Sequence, residues 1–291
     1  MVSFTEIMNE TDESKRNQMI QERLKELDTQ AEQNYELKTN HIYHGFISST
    51  SSVDFSDFLF MVGKDSPKRG SYTMTNQEYI IEFIEYIKKF KVNNNLNKII
   101  PLISPFLKKY FGVKKDGNNK YDRETYFDNV TEILRKMEEN NHPEYRERIK
   151  ETFDIGFFKG KSMAECSEYA AITQNIFTFI GCNSYYVPGK LIMPDHQEEH
   201  AFNIVQTAKD KFFIFDTSNP DYAYDENFNI IGARTRFCPI SQEQFEKVIT
   251  EEGISQRFKI SNYQTINGET KPIDEETWEY QTTGYKKGKT L

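Results

Sequence analysis

The chain has 291 residues, with 45 acidic side chains against 37 basic ones and a formal net charge of −8. This length suits one large domain or two small ones and is ample for a sizeable apolar core. The sequence pI of about 5.4 and the lack of a basic stripe argue against a nucleic-acid partner. The aromatic content of 14% is better explained as core filling than as base stacking.

The amino terminus has no basic segment followed by an apolar stretch, and no run approaches the ~18 apolar residues of a membrane span. Three cysteines, an odd number, argue against a disulfide framework and for a reducing compartment. No two of them stand at metal-ligand spacing. We therefore expect a soluble, cytoplasmic protein without a membrane partner, metal or other cofactor. An effector delivered into another cell would show the same features.

Helical patterns dominate the first half of the chain. Residues 12–37 predict a long charged helix whose apolar positions recur with the helical period: Met19, Ile20, Leu24, Leu27 and Ala31. Further helices are predicted over residues 76–91, 97–110, 123–140 and 143–153, and a strand over 58–62. We expect residues 1–150 to form a helical amino-terminal region and residues 151–291 an α+β domain.

The residues around Cys166 predict the start of a helix. Ser162 and, three residues later, Glu165 form a capping-box pattern, and Gly181 suits the left-handed cap that ends a helix. We predict a helix over residues 163–180, with an inward stripe through Cys166, Tyr169, Ala170, Thr173, Ile176, Phe177 and Ile180. Free N–H groups and the helix dipole favour a thiolate in the first turn. The pKa of Cys166 is thus expected below that of an ordinary thiol.

Strands are predicted over residues 184–193, 200–206 and 211–216, with a turn over 207–210 that makes the last two a hairpin. If His200 pairs with Asp216, then Phe202 pairs with Ile214 and Ile204 with Phe212. An odd loop puts the imidazole and the carboxylate on one face, whereas a one-residue slip separates them. Cys166, His200 and Asp216 would then be a nucleophile, a base and an orienting carboxylate.

Beyond the hairpin, residues 241–250 predict a capped helix. Residues 257–266 and 269–272 flank Asn267 and Gly268, a strong hairpin-turn signal. The sheet that carries His200 is therefore expected to gain strands from the carboxyl-terminal part.

Together the segments 160–170, 199–205 and 213–220 resemble the core of the transglutaminase-like superfamily, which is related to papain-like thiol enzymes. The resemblance covers residues 150–225 and implies a helix packed on an antiparallel sheet. It implies Cys166 as nucleophile, His200 as general base and acid, and Asp216 as the orienting residue. The family often has tryptophan at the position of Phe202, and its oxyanion donor is not identifiable in this sequence.

The implied reaction is acyl transfer or hydrolysis on a peptide or protein amide through a Cys166 thioester. Water as the acceptor gives a peptidase or deamidase, and an amine gives a transglutaminase. Water is favoured because no feature marks an amine site. The alternative is a catalytically weak scaffold whose amino-terminal helices bind a protein partner, with Cys166 a core cysteine and His200 an ordinary strand residue.

Other motifs are less specific. Residues 284–290 resemble a phosphate loop, but the spacing is one residue short. His41 and His44 lack a nearby carboxylate pattern for a metal site. His196 is a competing base, but its flanking residues predict a loop and nothing orients its ring.

Overall fold

The computed structural model describes residues 2–33, 42–49, 52–53, 72–112, 153–161, 164–218, 222–224, 230–250, 255–266, 269–272 and 278–282. The strand predicted over 58–62 and the helix predicted over 123–140 lie outside these residues. So does the helix predicted over 143–153, apart from its last residue, which belongs to a short strand.

The first part of the chain contains mainly helices: α1 (Phe4–Asn9), α2 (Glu13–Gln33), α3 (Glu78–Lys88), α4 (Leu96–Ile99) and α5 (Ile103–Tyr110). Short strands lie between and after them: β1 (Tyr43–His44), β2 (Ser52–Val53), β3 (Tyr72–Thr73) and β4 (Phe153–Asp154). The second part contains α6 (Cys166–Phe179), β5 (Asn183–Ile192), β6 (Gln197–Ala208), β7 (Lys211–Phe215), β8 (Tyr222–Tyr224), β9 (Ile230–Ser241), α7 (Gln242–Thr250), β10 (Arg257–Lys259), β11 (Ser261–Ile266), β12 (Glu269–Pro272) and β13 (Glu279–Thr282).

The amino-terminal helices follow their sequence patterns with two corrections. In α2 the predicted apolar positions Ile20, Leu24, Leu27 and Ala31 are buried, and Met19 packs against them. The helix predicted over 97–110 is instead broken by a 3₁₀ turn (Ile100–Leu102), which fits the missing N–H of Pro101. Helix α1 was not predicted, although Ser3 and Glu6 form the reciprocal hydrogen bonds of a capping box.

Helix α6 begins three residues later than the sequence predicted. Its capping box is formed by Glu165 and Glu168, while Ser162 lies outside the described residues. Cys166 is therefore the first helical residue. The helix ends as predicted at Gly181, whose φ is +87°. There the N–H of Cys182 bonds the carbonyl of Phe177, and the N–H of Gly181 that of Thr178, which together form a Schellman motif.

The large sheet is antiparallel and curls into a near-barrel, called the barrel below. Its strand order is β10-β13-β5-β6-β7-β9-β11-β12. Strands β10 and β11 are separated only by Ile260, yet β10 pairs with β13 and β11 pairs with β9. The sheet therefore returns on itself at this residue. The predicted gain of strands from the carboxyl-terminal part is confirmed, as is the pairing of β11 with β12.

Two apolar clusters lie on opposite faces of this sheet. Phe202 and Ile204 of β6 belong to the cluster inside the barrel. Ala201 and Val205 belong to the larger cluster that also contains the amino-terminal helices and α6. Neighbouring residues of β6 thus point alternately into the barrel and towards α6, as strand geometry requires.

In the β6–β7 hairpin, up to Gln206, even-numbered residues pair with even-numbered residues as predicted, but the register differs from the predicted one. Ile204 pairs with Ile214 and Gln206 with Phe212, so the predicted pairing of Ile204 with Phe212 is wrong by two residues. Strand β6 continues through Ala208, where the pairing is irregular and Ala208 faces Lys211 across a tight turn. A shift of two residues leaves every side chain on its predicted face.

Candidate active site

His200 and Asp216 lie side by side on two neighbouring strands. His200 is on β6, and Asp216 directly follows β7. The imidazole Nε2 lies 2.7 Å from the carboxylate Oδ2, and the two side chains are 2% and 5% exposed. The hydrogen bond is thus largely shielded from water, where it is electrostatically stronger than in bulk solvent.

Cys166 completes this chain of contacts from the helix side. The residue is 7% exposed, and its thiol lies close enough to His200 and to the backbone N–H of Ala201 for both to lower its pKa. Because Nε2 is bonded to Asp216, Nδ1 is the ring nitrogen left for the thiol. The structure therefore brings together the three residues that the sequence singled out, with the imidazole in the middle.

Three described residues, His200, Ser218 and Tyr280, make four hydrogen bonds to the carboxylate of Asp216. The hydroxyl of Tyr280 donates to Oδ2 over 2.9 Å, beside the bond from His200. Ser218 donates twice to Oδ1, through its backbone N–H over 3.1 Å and its hydroxyl over 2.7 Å. A buried carboxylate with these donors stays ionised and fixed in orientation.

Burial raises the pKa of the Cys166 thiol above its ordinary value. The charge and the hydrogen bond of His200 oppose this, whereas the carboxylate of Glu165 adds to it. The sequence prediction of a lowered pKa is therefore wrong in direction. A helix terminus offers only a partial positive charge, whereas enclosure takes the whole thiolate out of water.

The pKa values of His200 and Asp216 move apart. Burial opposes charge on His200, but Asp216 and Cys166 raise the pKa of the imidazole well above its usual value. Burial also opposes charge on Asp216, but His200, Ser218 and Tyr280 hold its pKa well below the usual range. A raised pKa on His200 and a lowered pKa on Asp216 mean that the two side chains form an ion pair. His200 is thus favoured as imidazolium at neutral pH.

Sequence reasoning missed the residues around Asp216. For Ser218 a signal was present, because a serine two residues after an aspartate is a common Asx-turn pattern. For Tyr280 there was none, since it stands 64 positions from Asp216 on a different strand. Only the pairing of β13 with β5 brings it to the site.

Helix α5 also reaches this region, which the sequence did not indicate. Lys108 Nζ donates to the carbonyl of Ser218 over 3.1 Å and lies 5.5 Å from the centre of the Tyr169 ring. Burial lowers the pKa of Lys108 to about 8, although the charge of Asp216 opposes the shift. The same serine is thus held by Lys108 at its carbonyl and by Asp216 at its N–H and hydroxyl.

The remaining histidines of the described part lie apart from these contacts. His196 is more than half exposed and bonds its neighbour Asp195 over 2.7 Å. His44 bonds Asn183 over 2.6 Å and stacks on Tyr185. His41 and residues 284–290 lie outside the described residues. Within those residues, no group of three or more His, Cys, Asp or Glu side chains is placed to hold a metal ion.

No helix among the residues described is both long and apolar enough to cross a membrane. Comparisons of the chain with protein-family models, with curated proteins and with solved structures found no match. What the described residues establish is an α+β protein in which helices pack on an antiparallel sheet, with a buried cysteine, histidine and aspartate in contact.

Proposed function

We propose that this protein is a cysteine-dependent hydrolase or acyltransferase with a transglutaminase-like core, and that it acts on peptide or protein amides. The observation that supports this most is the hydrogen bond between buried His200 and Asp216, with the Cys166 thiol beside the same imidazole. A buried ion pair next to a cysteine is costly for a structural core. Strongly shifted pKa values of this kind are instead common at catalytic sites.

In the first half-reaction, the reacting form is the one in which Cys166 is a thiolate and His200 is an imidazolium, and the sulfur attacks the carbonyl carbon of the substrate. When the intermediate collapses, the C–N bond breaks, and the imidazolium gives its proton to the leaving amine. The product is a thioester on Cys166. Asp216 accepts the Nε2–H of His200 throughout and stabilises the positive charge on the ring.

In the second half-reaction, water attacks the thioester carbon and His200 takes its proton. The C–S bond then breaks, which restores the Cys166 thiolate beside the His200 imidazolium. An amine in place of water would give a new amide. We favour water because Cys166 is 7% exposed, and so enclosed a sulfur admits a small acceptor more readily than an amine-bearing side chain.

The backbone N–H of Cys166 is our candidate for the oxyanion donor. Cys166 is the first residue of α6, and an N–H at this position has no acceptor within the helix. It also lies at the positive end of the helix dipole, which favours developing negative charge. Donors of this kind contribute a large share of catalysis in acyl transfer.

A second candidate function is a catalytically weak scaffold that binds a protein partner. The burial of Cys166 and its raised pKa favour this alternative, because both reduce the fraction of reactive thiolate. The two candidates differ in whether any substrate is chemically changed.

The test is a mass-spectrometric screen of peptides and proteins incubated with the full chain. Cleavage, deamidation and crosslinking leave different mass changes, and we expect one of them to vanish in Cys166→Ala. Cys182→Ala is the matched control, because Cys182 follows the other end of α6 and is only half-buried. Mass changes that persist in a folded Cys166→Ala protein would contradict the proposal. No mass change with the unmodified protein would favour the scaffold.

A further inference from the structure

Tyr280 lies against the His200–Asp216 pair from a strand that the sequence did not connect with them. Its hydroxyl donates over 2.9 Å to Asp216 Oδ2, the same oxygen that accepts the Nε2–H of His200 over 2.7 Å. Its ring is 6.1 Å from the His200 ring, centre to centre, at an angle of 24°. Tyr280 is 2% exposed, so the contact takes place away from water.

The sheet fixes this placement. Tyr280 pairs with Leu191, and two residues further along β13 Thr282 pairs with Gly189. A Cβ atom at Gly189 would lie 2.1 Å from the carbonyl oxygen of Gln281, far inside any allowed contact. Glycine at this position therefore lets β13 come close enough for Tyr280 to reach Asp216. On its other side the Tyr280 ring packs on Phe202, 4.9 Å away.

Two donors on one carboxylate oxygen share its negative charge. The hydroxyl of Tyr280 withdraws part of the charge that would otherwise stabilise the imidazolium of His200. From this geometry we infer that Tyr280 is a positioning residue that holds Asp216 in place and limits how strongly His200 binds its proton. This inference rests on the proposed function, since the proton of His200 matters only if His200 acts as base and acid.

Other ionisable groups also face the pair. Cys166 approaches from the first turn of α6, Glu165 from the N-cap of that helix, and Lys108 from α5. Tyr280→Phe leaves all of them in place and keeps the aromatic ring, so it removes only the hydroxyl. Replacing Tyr280 with 3-fluorotyrosine makes the phenol a stronger donor and also keeps the ring. The two changes should therefore move the proton affinity of His200 in opposite directions.

The experiment is an NMR titration of the His200 ring in the full chain with labelled histidine, with the resonance assigned by its loss in His200→Gln. In Tyr280→Phe we expect the midpoint to rise by roughly half a pH unit or more, the size of one hydrogen bond of about 1 kcal/mol. In the 3-fluorotyrosine protein we expect it to fall. Tyr79→Phe is the control, because its buried hydroxyl bonds Asn175 and should leave the midpoint unchanged.

An unchanged or lowered midpoint in folded Tyr280→Phe would overturn the inference. If Tyr280→Phe does not fold, the 3-fluorotyrosine protein decides, and an unchanged or raised midpoint there overturns it. The titration needs no turnover, so its outcome is separate from that of the proposed function. If turnover depends on Cys166 but the His200 midpoint is the same in the Tyr280 variants, only the role of Tyr280 is contradicted. If the His200 midpoints shift as expected but turnover persists in Cys166→Ala, only the proposed reaction is contradicted.

Discussion

The buried carboxylate of Asp216 keeps its charge because described residues donate two hydrogen bonds to each of its oxygens. Removing a charge from water costs several kcal/mol even after relaxation. Hydrogen bonds to charged groups contribute about 1.5–3 kcal/mol each, so four of them offset a cost of that size. The thiol of Cys166 has fewer such partners, and for it burial is the larger effect.

Asp216→Asn should reduce turnover on a substrate found in the screen by about 10 to 10⁴-fold, whereas Cys166→Ala should abolish it. The amide still accepts a hydrogen bond from the imidazole but lacks the charge that stabilises imidazolium. His200→Ala should approach the loss of Cys166→Ala, and the triple variant should be little worse than Cys166→Ala alone, since the three residues act as a unit. These losses are measured as kcat on proteins whose folding is checked by circular dichroism.

Asp195→Asn is the matched control for this series, because Asp195 also bonds a histidine over 2.7 Å but is exposed. It should leave turnover within about twofold of the unmodified protein, as expected for a surface substitution away from the site. Full turnover in folded Cys166→Ala or His200→Ala would contradict the mechanism.

Alkylation of Cys166 should accelerate with pH and reach its midpoint above the ~8.5 of a free thiol, because burial raises its pKa. His200→Ala should move this midpoint higher still, since the charge and the hydrogen bond of His200 both lower the thiol pKa. The measurement is the rate of iodoacetamide labelling at each pH, with Cys166 separated from the other cysteines by peptide mapping. A rate that is already maximal near pH 6.5 would show that the helix start and His200 outweigh burial.

At the scale of elements, α6 connects the helices to the sheet through its side chains. Asn175 bonds both the N–H and the carbonyl of Ile47 and also reaches the hydroxyl of Tyr79. Gln174 donates to the carbonyls of Gly45 and Ser184. These buried amides satisfy backbone groups of the segment between α2 and α3 and of β5. That is why the helix tolerates polar residues on faces that carry no apolar stripe.

Asn175→Ala should lower the free energy of unfolding by about 3 kcal/mol, because it leaves buried backbone groups and a buried hydroxyl without partners. Thr178→Ala, on the same helix, removes only a bond within the helix to Gln174 and should cost less than about 1 kcal/mol. Urea unfolding of the two variants measures the difference. Equal losses would show that the Asn175 contacts contribute little.

At the scale of the whole molecule, the described amino-terminal helices do not stand apart from the α+β part. Residues of α1, α2, α3 and α5 share one apolar cluster with α6 and with the face of β6 that points towards it. The domain boundary predicted near residue 150 stays a prediction. The cluster does show that α6, the helix carrying Cys166, packs against the amino-terminal helices and against β6.

The His200–Asp216 pair should make stability depend on pH in a defined way. The pKa of Asp216 is lowered by folding, so its contribution is present above the unfolded value of about 3.9 and is lost as pH falls through the folded value. The pKa of His200 is raised, so its contribution is complete below about 6.5 and is lost as pH rises through the folded value. The pair therefore stabilises most between about pH 4 and 6.5.

Asp216→Asn should accordingly cost on the order of 2 kcal/mol between about pH 5 and 6.5, and the cost should shrink as the pH falls towards about 2. Urea unfolding of both proteins across this range measures the gap. The exposed pair in Asp195→Asn again serves as the control, with little change expected at any pH. A gap that stays constant down to pH 2 would show that the ionisation of Asp216 is not its source.

Local sequence patterns predict several elements of the fold correctly. These include the period of α2, the left-handed cap at Gly181, the helix start at Cys166 to within three residues, and the strands that carry His200 and Asp216 on one face. The predicted pairing of β6 with β7 is wrong by two residues, yet each side chain lies on the predicted face of the sheet. Side chains of a strand alternate between the two faces, so a shift of two residues changes the pairing partners and leaves the faces unchanged.

The surroundings of these residues depend on contacts between distant parts of the chain. The return of the sheet through Ile260, the approach of β13 at Gly189 and the reach of α5 to Ser218 bring together residues that are far apart in the chain. Burial, and with it the direction of the Cys166 pKa, results from the sum of these contacts. No local pattern encodes that sum, because the loss of water around a group depends on every element that packs against it.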